Sequence, residues 1–202
     1  SAACRASFER DNAVKPEAGP YRKRQITHAV NPVDGSAFQA ETLIEVLPRQ
    51  AVRSRVNLGE GETLEVRILD ANTGWLNMRG RWEEAPRFIR EGVLPETTHY
   101  LNAANASALQ CLPPGEQHGQ PVRSYRFRML ADANVLNPSP QPRQITVHFH
   151  AETGLPVSSR NDGIAPSGAA ASDARIAADA KAFSELRYEF DRSIRIDKPD
   201  GV

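Results

Sequence analysis

The most regular pattern in the chain is its last one. Across residues 182–199, Leu186, Tyr188 and Phe190 alternate with Arg187, Glu189 and Asp191, the period of two expected of an antiparallel strand with one wet face. Ile194 and Ile196 resume the pattern before Pro199 stops it. The same alternation recurs upstream. Strands are predicted over 21–30 and 38–47, joined through Asn31-Pro-Val-Asp-Gly35, whose Asp-Gly is a hairpin signal. A further run covers 51–58, Gly59-Glu-Gly61 leads into Leu64, Val66 and Ile68 alternating with Glu65 and Arg67, and the turn Asp70-Ala-Asn-Thr-Gly74 then delivers Trp75, Leu76 and Met78 ahead of Gly80 and Trp82.

From residue 86 to about 101 the alternation gives way to helical spacing in Phe88, Ile89, Val93 and Leu94, with Pro95 set to break or kink the helix. Alternation returns at 108–112, at 122–130 with Tyr125, Phe127 and Met129 on one face, at 144–150 with Ile145, Val147 and Phe149 on one face, and at 155–159. An amphipathic helix is predicted over 2–13, before Pro16. Residues 161–181, rich in Gly, Ala, Ser and Asp, read as a long mobile loop with one helical turn, and Asn137-Pro-Ser-Pro-Gln-Pro142 as a second flexible connection.

Strands spaced about ten residues apart around one helical interruption imply an α+β fold: an antiparallel sheet of about nine strands. A sheet of that size tends to curl or split. Curled around the helix it makes an incomplete β-barrel, a half-barrel with helices packed on the concave face. The organisation expected is a single domain over 1–202: N-terminal helix 1–15, first meander 21–84, helical lid 86–103, second meander 106–199.

Length and charge narrow the function. A chain of 202 residues buries a substantial core. Its 25 basic side chains balance its 25 acidic ones, so no net field favours nucleic acid or an anionic membrane. Nothing approaches the ~18 apolar residues of a membrane-spanning helix. Cys4 and Cys111 are too far apart for a CxxC redox or zinc motif. In an oxidising compartment they would pair, closing a loop worth ~4 kcal/mol on a chain-entropy model; the alternative is two unrelated thiols. The opening Ser-Ala-Ala-Cys is compatible with a removed leader. Ser1, three before Cys4, is not the larger apolar residue of a lipobox, so a disulfide is expected rather than a lipid anchor.

Several stretches in order resemble a known family: Pro20-Tyr-Arg-Lys-Arg, Thr42-Leu-Ile-Glu-Val-Leu-Pro-Arg-Gln-Ala-Val-Arg, Gly74-Trp-Leu-Asn-Met-Arg-Gly-Arg-Trp82, Leu109-Gln-Cys-Leu-Pro-Pro-Gly followed by Gln120-Pro-Val, Glu152-Thr-Gly-Leu-Pro-Val157 and the closing Tyr188-Glu-Phe-Asp-Arg-Ser-Ile-Arg-Ile-Asp-Lys-Pro199. Together they are similar to the LolA/LolB-like periplasmic lipoprotein-carrier superfamily. The resemblance implies a periplasmic protein of the cell envelope, an incomplete barrel, helices acting as a lid, and an apolar cavity for a lipid or the acyl chains of a lipoprotein. The arginine that latches the lid of the dedicated carrier has no assigned counterpart here.

On that reading the ligand-binding candidates are Trp75, Met78, Trp82, Phe88, Ile89, Val93, Leu94 and Leu101. They line a pocket if the helix leaves the sheet partly uncovered, and form a solid core if it does not. His148 and His150 make a His-x-His without an evident third metal ligand, and alternate with apolar residues as a solvent face would. The arginines 22, 24, 53, 55, 123, 126 and 128 read likewise as a wet face. No Gly-x-Ser-x-Gly or phosphate loop is present. The expectation is therefore a monomeric, non-enzymatic binding or carrier protein with no cofactor and no catalytic or metal site, whose partner is a lipid or acylated lipoprotein. The alternative is an interaction or sensing module with a filled core and an envelope protein as partner, and a third reading is a metal enzyme built on His148 and His150.

Overall fold

The computed structural model describes residues 1–59, 61–130 and 141–202. The order of elements is α1 (Ala2–Asn12), a 3-10 turn (Pro16–Ala18), β1 (Tyr21–Val30), β2 (Ala37–Leu47), β3 (Ala51–Gly59), β4 (Glu62–Ile68), β5 (Gly74–Met78), β6 (Arg81–Glu84), α2 (Arg87–Val93), a 3-10 turn (Leu94–Thr97), β7 (Ala106–Cys111), β8 (Gly115–Gln117), β9 (Gln120–Met129), β10 (Arg143–His150), β11 (Pro156–Gly163), a 3-10 turn (Gly168–Ser172), α3 (Ala174–Lys181) and β12 (Phe183–Phe190).

The fold is α+β, as expected. The sheet has 12 strands in the order β6-β5-β4-β3-β2-β1-β12-β11-β10-β9-β7, with β8 paired to β9. Its two end strands are not partners, so the sheet is open. The count exceeds the about nine read from alternation in part because β6 and β8 have only four and three residues, too few to show a period. Pro95 acts where it was expected to: the α-helix stops at Val93 and continues as 3-10. The Pro-rich stretch 137–142 lies mostly outside the described residues. Residues 161–181 are more structured than a loop with one turn. β11 runs to Gly163, and α3 occupies 174–181, started by Asp173, whose carboxylate accepts the N–H groups of Arg175 and Ile176.

The chain divides into two compact units. One comprises Ser1–Glu9, Ile26–Gln39 and Ala103–Leu186. Its core is aromatic. Phe8 of α1 meets Tyr125 and Phe127 of β9 at 5.3 and 5.4 Å between ring centroids, and Tyr125 meets Phe149 at 5.9 Å. Register explains the grouping: Ile145 opposes Phe127 and Val147 opposes Tyr125, so one face of β9–β10 is apolar and α1 covers it. Cys4, four residues before Phe8 on the same helix face, is bonded to Cys111 of β7 with Cα atoms 5.7 Å apart.

The other unit comprises Arg10–Gln25, Ala40–Asn102 and Arg187–Val202. At its centre Tyr21, Tyr100, Tyr188 and Phe190 pack ring against ring. Lys23 lies buried among them. Its ammonium donates to the Glu96 carboxylate and to the Tyr100 carbonyl, and sits 5.9 Å over the Tyr188 ring. Such a pair is tolerated in an apolar setting only because both charges are matched and hydrogen-bonded.

Candidate functional site

Within this second unit, strands β2 to β6 form a meander with two distinct faces. Pairing aligns side chains into cross-strand rows. On one face, the first row is Val46, Val52, Ile68 and Gly74; the second is Ile44, Ser54, Val66, Leu76 and Glu83; the third is Thr42, Val56, Leu64, Met78 and Arg81. Burial falls from row to row. Val46, Val52 and Ile68 are at 0% exposure and Val66 at 7%, whereas Met78 in the third row is at 57%.

The gradient has a simple cause. Ile89 and Val93 of α2 and Leu94 after it pack on Val66, Ile68 and Ala85, with Leu76 against the same cluster, so the cover lies over the first row and part of the second and stops. Gly74 belongs to the tight side of this packing, since a Cβ there would come within 2.5 Å of Ile68 Cδ1. The helix is tied down at its base by Arg90, which donates to the carbonyls of Ala71 and Ala85. The segment after it is tied as well. Tyr21 donates its hydroxyl to the Glu96 carbonyl at 2.7 Å, Arg49 donates its N–H to the Thr97 carbonyl at 2.9 Å, and Asn12 exchanges two 2.9 Å bonds with the Leu101 backbone.

Beyond the helix the uncovered end of the face forms an open depression of about 390 Å³ lined by Glu62, Thr63, Leu64, Leu76, Met78, Arg79, Arg81 and Glu83. Leu64, Leu76 and Met78 make its floor. Arg79 and Gly80, with φ of 55° and 79°, form the β5–β6 turn, the positive φ at both positions being that of a type I′ two-residue hairpin. That turn places Arg81 opposite Met78 and Glu83 opposite Leu76, on the apolar face. Arg79 lies 3.8 Å from Glu62 and Arg81 3.3 Å from Glu83.

The eight residues singled out by sequence are thus spread over several places. Ile89, Val93 and Leu94 come together over the buried rows, and Met78 lies on the open floor of the same face. Trp75 pairs with Arg67 and Trp82 with Asn77, which puts both tryptophans on the opposite face. There Trp82 lies under the Arg67 guanidinium at 5.0 Å and Trp75 under the Lys198 ammonium at 5.7 Å. Phe88 is 52% exposed, outside the α2 cluster. Leu101 is held at the Asn12 contact. Leu64 and Leu76, which the sequence reading left out, were findable: both fall in the same alternation as Val66 and Met78.

The second face is not simply a wet one. Ile194 and Ile196 of the C-terminal segment pack on Ala51, and Arg67 donates to the Asp197 carbonyl. Glu45 is buried there among Arg22, Arg53 and Arg55. Asp191, at the head of that segment, is held below the usual carboxylate range first by the Ser193 hydroxyl and N–H and then by Arg22.

In the first unit, His148 and His150 are half-buried and each is engaged. Ser124 Oγ lies 2.7 Å from His148 Nδ1. Burial, then His118, depresses the His148 pKa. His150 Nδ1 accepts the N–H groups of Glu152 and Thr153 at 3.3 Å. Among the described residues no group of three or more His, Cys, Asp or Glu is arranged to hold a metal ion.

No protein-family model matches the chain, and no curated protein does. Solved structures do. The lipoprotein LppX of Mycobacterium tuberculosis superposes with TM-score 0.55 at 12% identity, over 98% of this chain and 100% of that one. LprF of Mycobacterium bovis matches with TM-score 0.46 at 11% identity over 100% and 99% of the two chains. A LolA superfamily protein of Nitrosomonas europaea matches with TM-score 0.37 at 10% identity over 98% and 95%. The likeness to LppX establishes the fold, which this chain shares with that lipoprotein over nearly its whole length.

Proposed function

We propose that this chain is a non-enzymatic binding or carrier protein of the cell envelope that holds an acyl chain on the uncovered end of the β2–β6 face. The observation that carries the reading is the burial gradient: an apolar face, closed by α2 over its first row and part of the second, runs on into an open depression lined by Leu64, Leu76 and Met78. A volume of about 390 Å³ is at the lower end of the ~300–1,000 Å³ of ligand pockets. Each methylene moved from water onto such a floor contributes about 0.8 kcal/mol, so several suffice without polar recognition.

Ile89, Val93 and Leu94 act in this scheme as a fixed wall, because α2 and the segment after it are hydrogen-bonded at both ends. The Cys4–Cys111 bond fits the oxidising compartment in which an envelope protein works, and the partner is a lipid or an acylated lipoprotein. Displacement of a fluorescent fatty acid tests the site. Met78→Glu should weaken binding by roughly tenfold or more, since a charge on the floor is desolvated by the chain, while folding stays intact because Met78 is exposed. Trp75→Ala and Arg126→Ala should change it less than about twofold. Equal loss in all three variants, or none, removes the site.

A further inference from the structure

Of the depression's lining residues, four carry charge, and their arrangement goes beyond what a site for hydrocarbon alone needs. Alternation on the edge strand β6 sends Arg81 and Glu83 onto the apolar face, beside Met78 and Leu76. Glu62 at the start of β4 and Arg79 in the β5–β6 turn complete the rim. The side chains are 57% to 84% exposed and stand as two solvated ion pairs, Arg79 with Glu62 and Arg81 with Glu83, which a ligand carrying both signs can exchange for its own charges. Among the described residues, two cationic and two anionic groups border an apolar floor, equal in number.

Charges turned inward on an edge strand also serve to discourage strand addition. That role is met by charge of either sign. It does not call for opposite signs matched around a depression.

We infer that the depression takes the head-proximal part of a zwitterionic glycerophospholipid bearing a primary ammonium, with phosphate at Arg79 and Arg81 and ammonium at Glu62 and Glu83. The inference rests on the acyl-binding reading above and adds the class of lipid. A doubly matched rim favours a headgroup with both signs, since an anionic headgroup would meet the two carboxylates unpaired. A primary ammonium donates hydrogen bonds to carboxylates. A quaternary ammonium is instead recognised by aromatic faces, and among the described residues the lining contains no aromatic one.

The test compares three soluble short-chain lipids by calorimetry: dihexanoyl phosphoethanolamine, dihexanoyl phosphoglycerol and dihexanoylglycerol. The wild type should bind the first roughly fivefold more tightly than the other two, the scale expected of exposed charge pairs. The preference should shrink at high salt. In Arg81→Gln, and separately in Glu83→Gln, the ratio of phosphoethanolamine to diacylglycerol affinity should fall toward one. Equal affinity for all three lipids, tighter binding of phosphoglycerol, or an unchanged ratio in both variants overturns the headgroup assignment and leaves the acyl site standing. Binding of none of the three overturns both. Glu83→Gln keeps Arg81 on the edge strand, so the test does not depend on a single variant that exposes that edge.

Discussion

Lys23 lies buried where few lysines do, between the Glu96 carboxylate and the Tyr188 ring, and the phenols nearby share its surroundings. Burial, followed by the Glu96 carboxylate, pushes the Tyr21 phenol far above the usual range, and burial also raises Tyr100. Both hydroxyls are engaged, Tyr21 donating to the Glu96 carbonyl and Tyr100 accepting from the Lys15 N–H at 3.1 Å. In the unfolded chain these phenols ionise near their ordinary value of 10.0. Above that pH the unfolded state has released protons the native state keeps, so stability falls as pH rises. Their contribution is therefore complete below about pH 10 and lost progressively above it. Urea midpoints followed through the alkaline range should show that decline, with phenolate absorbance of the two appearing only on unfolding. A midpoint that stayed flat would refute the assignment. At this scale the sequence is partly legible. Tyr188 stands out as an apolar position of its strand, and with Arg22 and Arg24 on the wet face alternation puts Lys23 on the side of Tyr21, but nothing local says what pairs with it there. Only the packed rings and Glu96 make its burial affordable.

Elements were easier to read than their surroundings. Strand positions followed from alternation, and the α2 boundary from Pro95. Ile194 and Ile196 show where the inference stops: their alternation was read correctly as burial on one side, yet residues 191–199 pair with no strand and instead lie across Ala51. Side-chain burial sets the period, and backbone pairing is a separate event. The α3 helix was under-read for a related reason, its Ala-rich composition offering few apolar anchors. What holds it is close backbone approach. A Cβ on Gly163 would stand 2.3 to 2.7 Å from the backbone of Ala180, so Gly163→Ala must push α3 off β11. The expected cost is about 1–3 kcal/mol, seen as a lower urea midpoint. Gly92→Ala on α2 provides the contrast, since nothing lies within 4 Å of its Cβ position. It should be neutral or stabilise by up to about 1 kcal/mol. If both variants behaved alike, the close approach would not be what fixes α3.

Over the whole molecule, the strand order records how the chain was laid down. Strands β1 to β6 pair consecutively in one direction, and β12 returns to lie beside β1. The Cys4–Cys111 bond adds a covalent link between residues 107 apart. Reducing it, or replacing both cysteines by serine, should cost about 2–5 kcal/mol and lower the thermal midpoint. Retention of full stability would mean that the packing of Phe8 on Tyr125 and Phe127 suffices alone. The sequence by itself determined the α+β class, most strand positions, the helical interruption and the resemblance that anticipated the fold. These follow from local periodicity and chain punctuation, which are written residue by residue. Tertiary structure decided which face each strand shows to which neighbour. Register and the position of α2 set Trp75 under Lys198 and Trp82 under Arg67, left Leu64 and Leu76 half-buried and Met78 exposed, and turned Arg81 and Glu83 inward. Alternation assigns residues to two faces; which face is then covered, and how far, depends on elements distant in the chain packing on it.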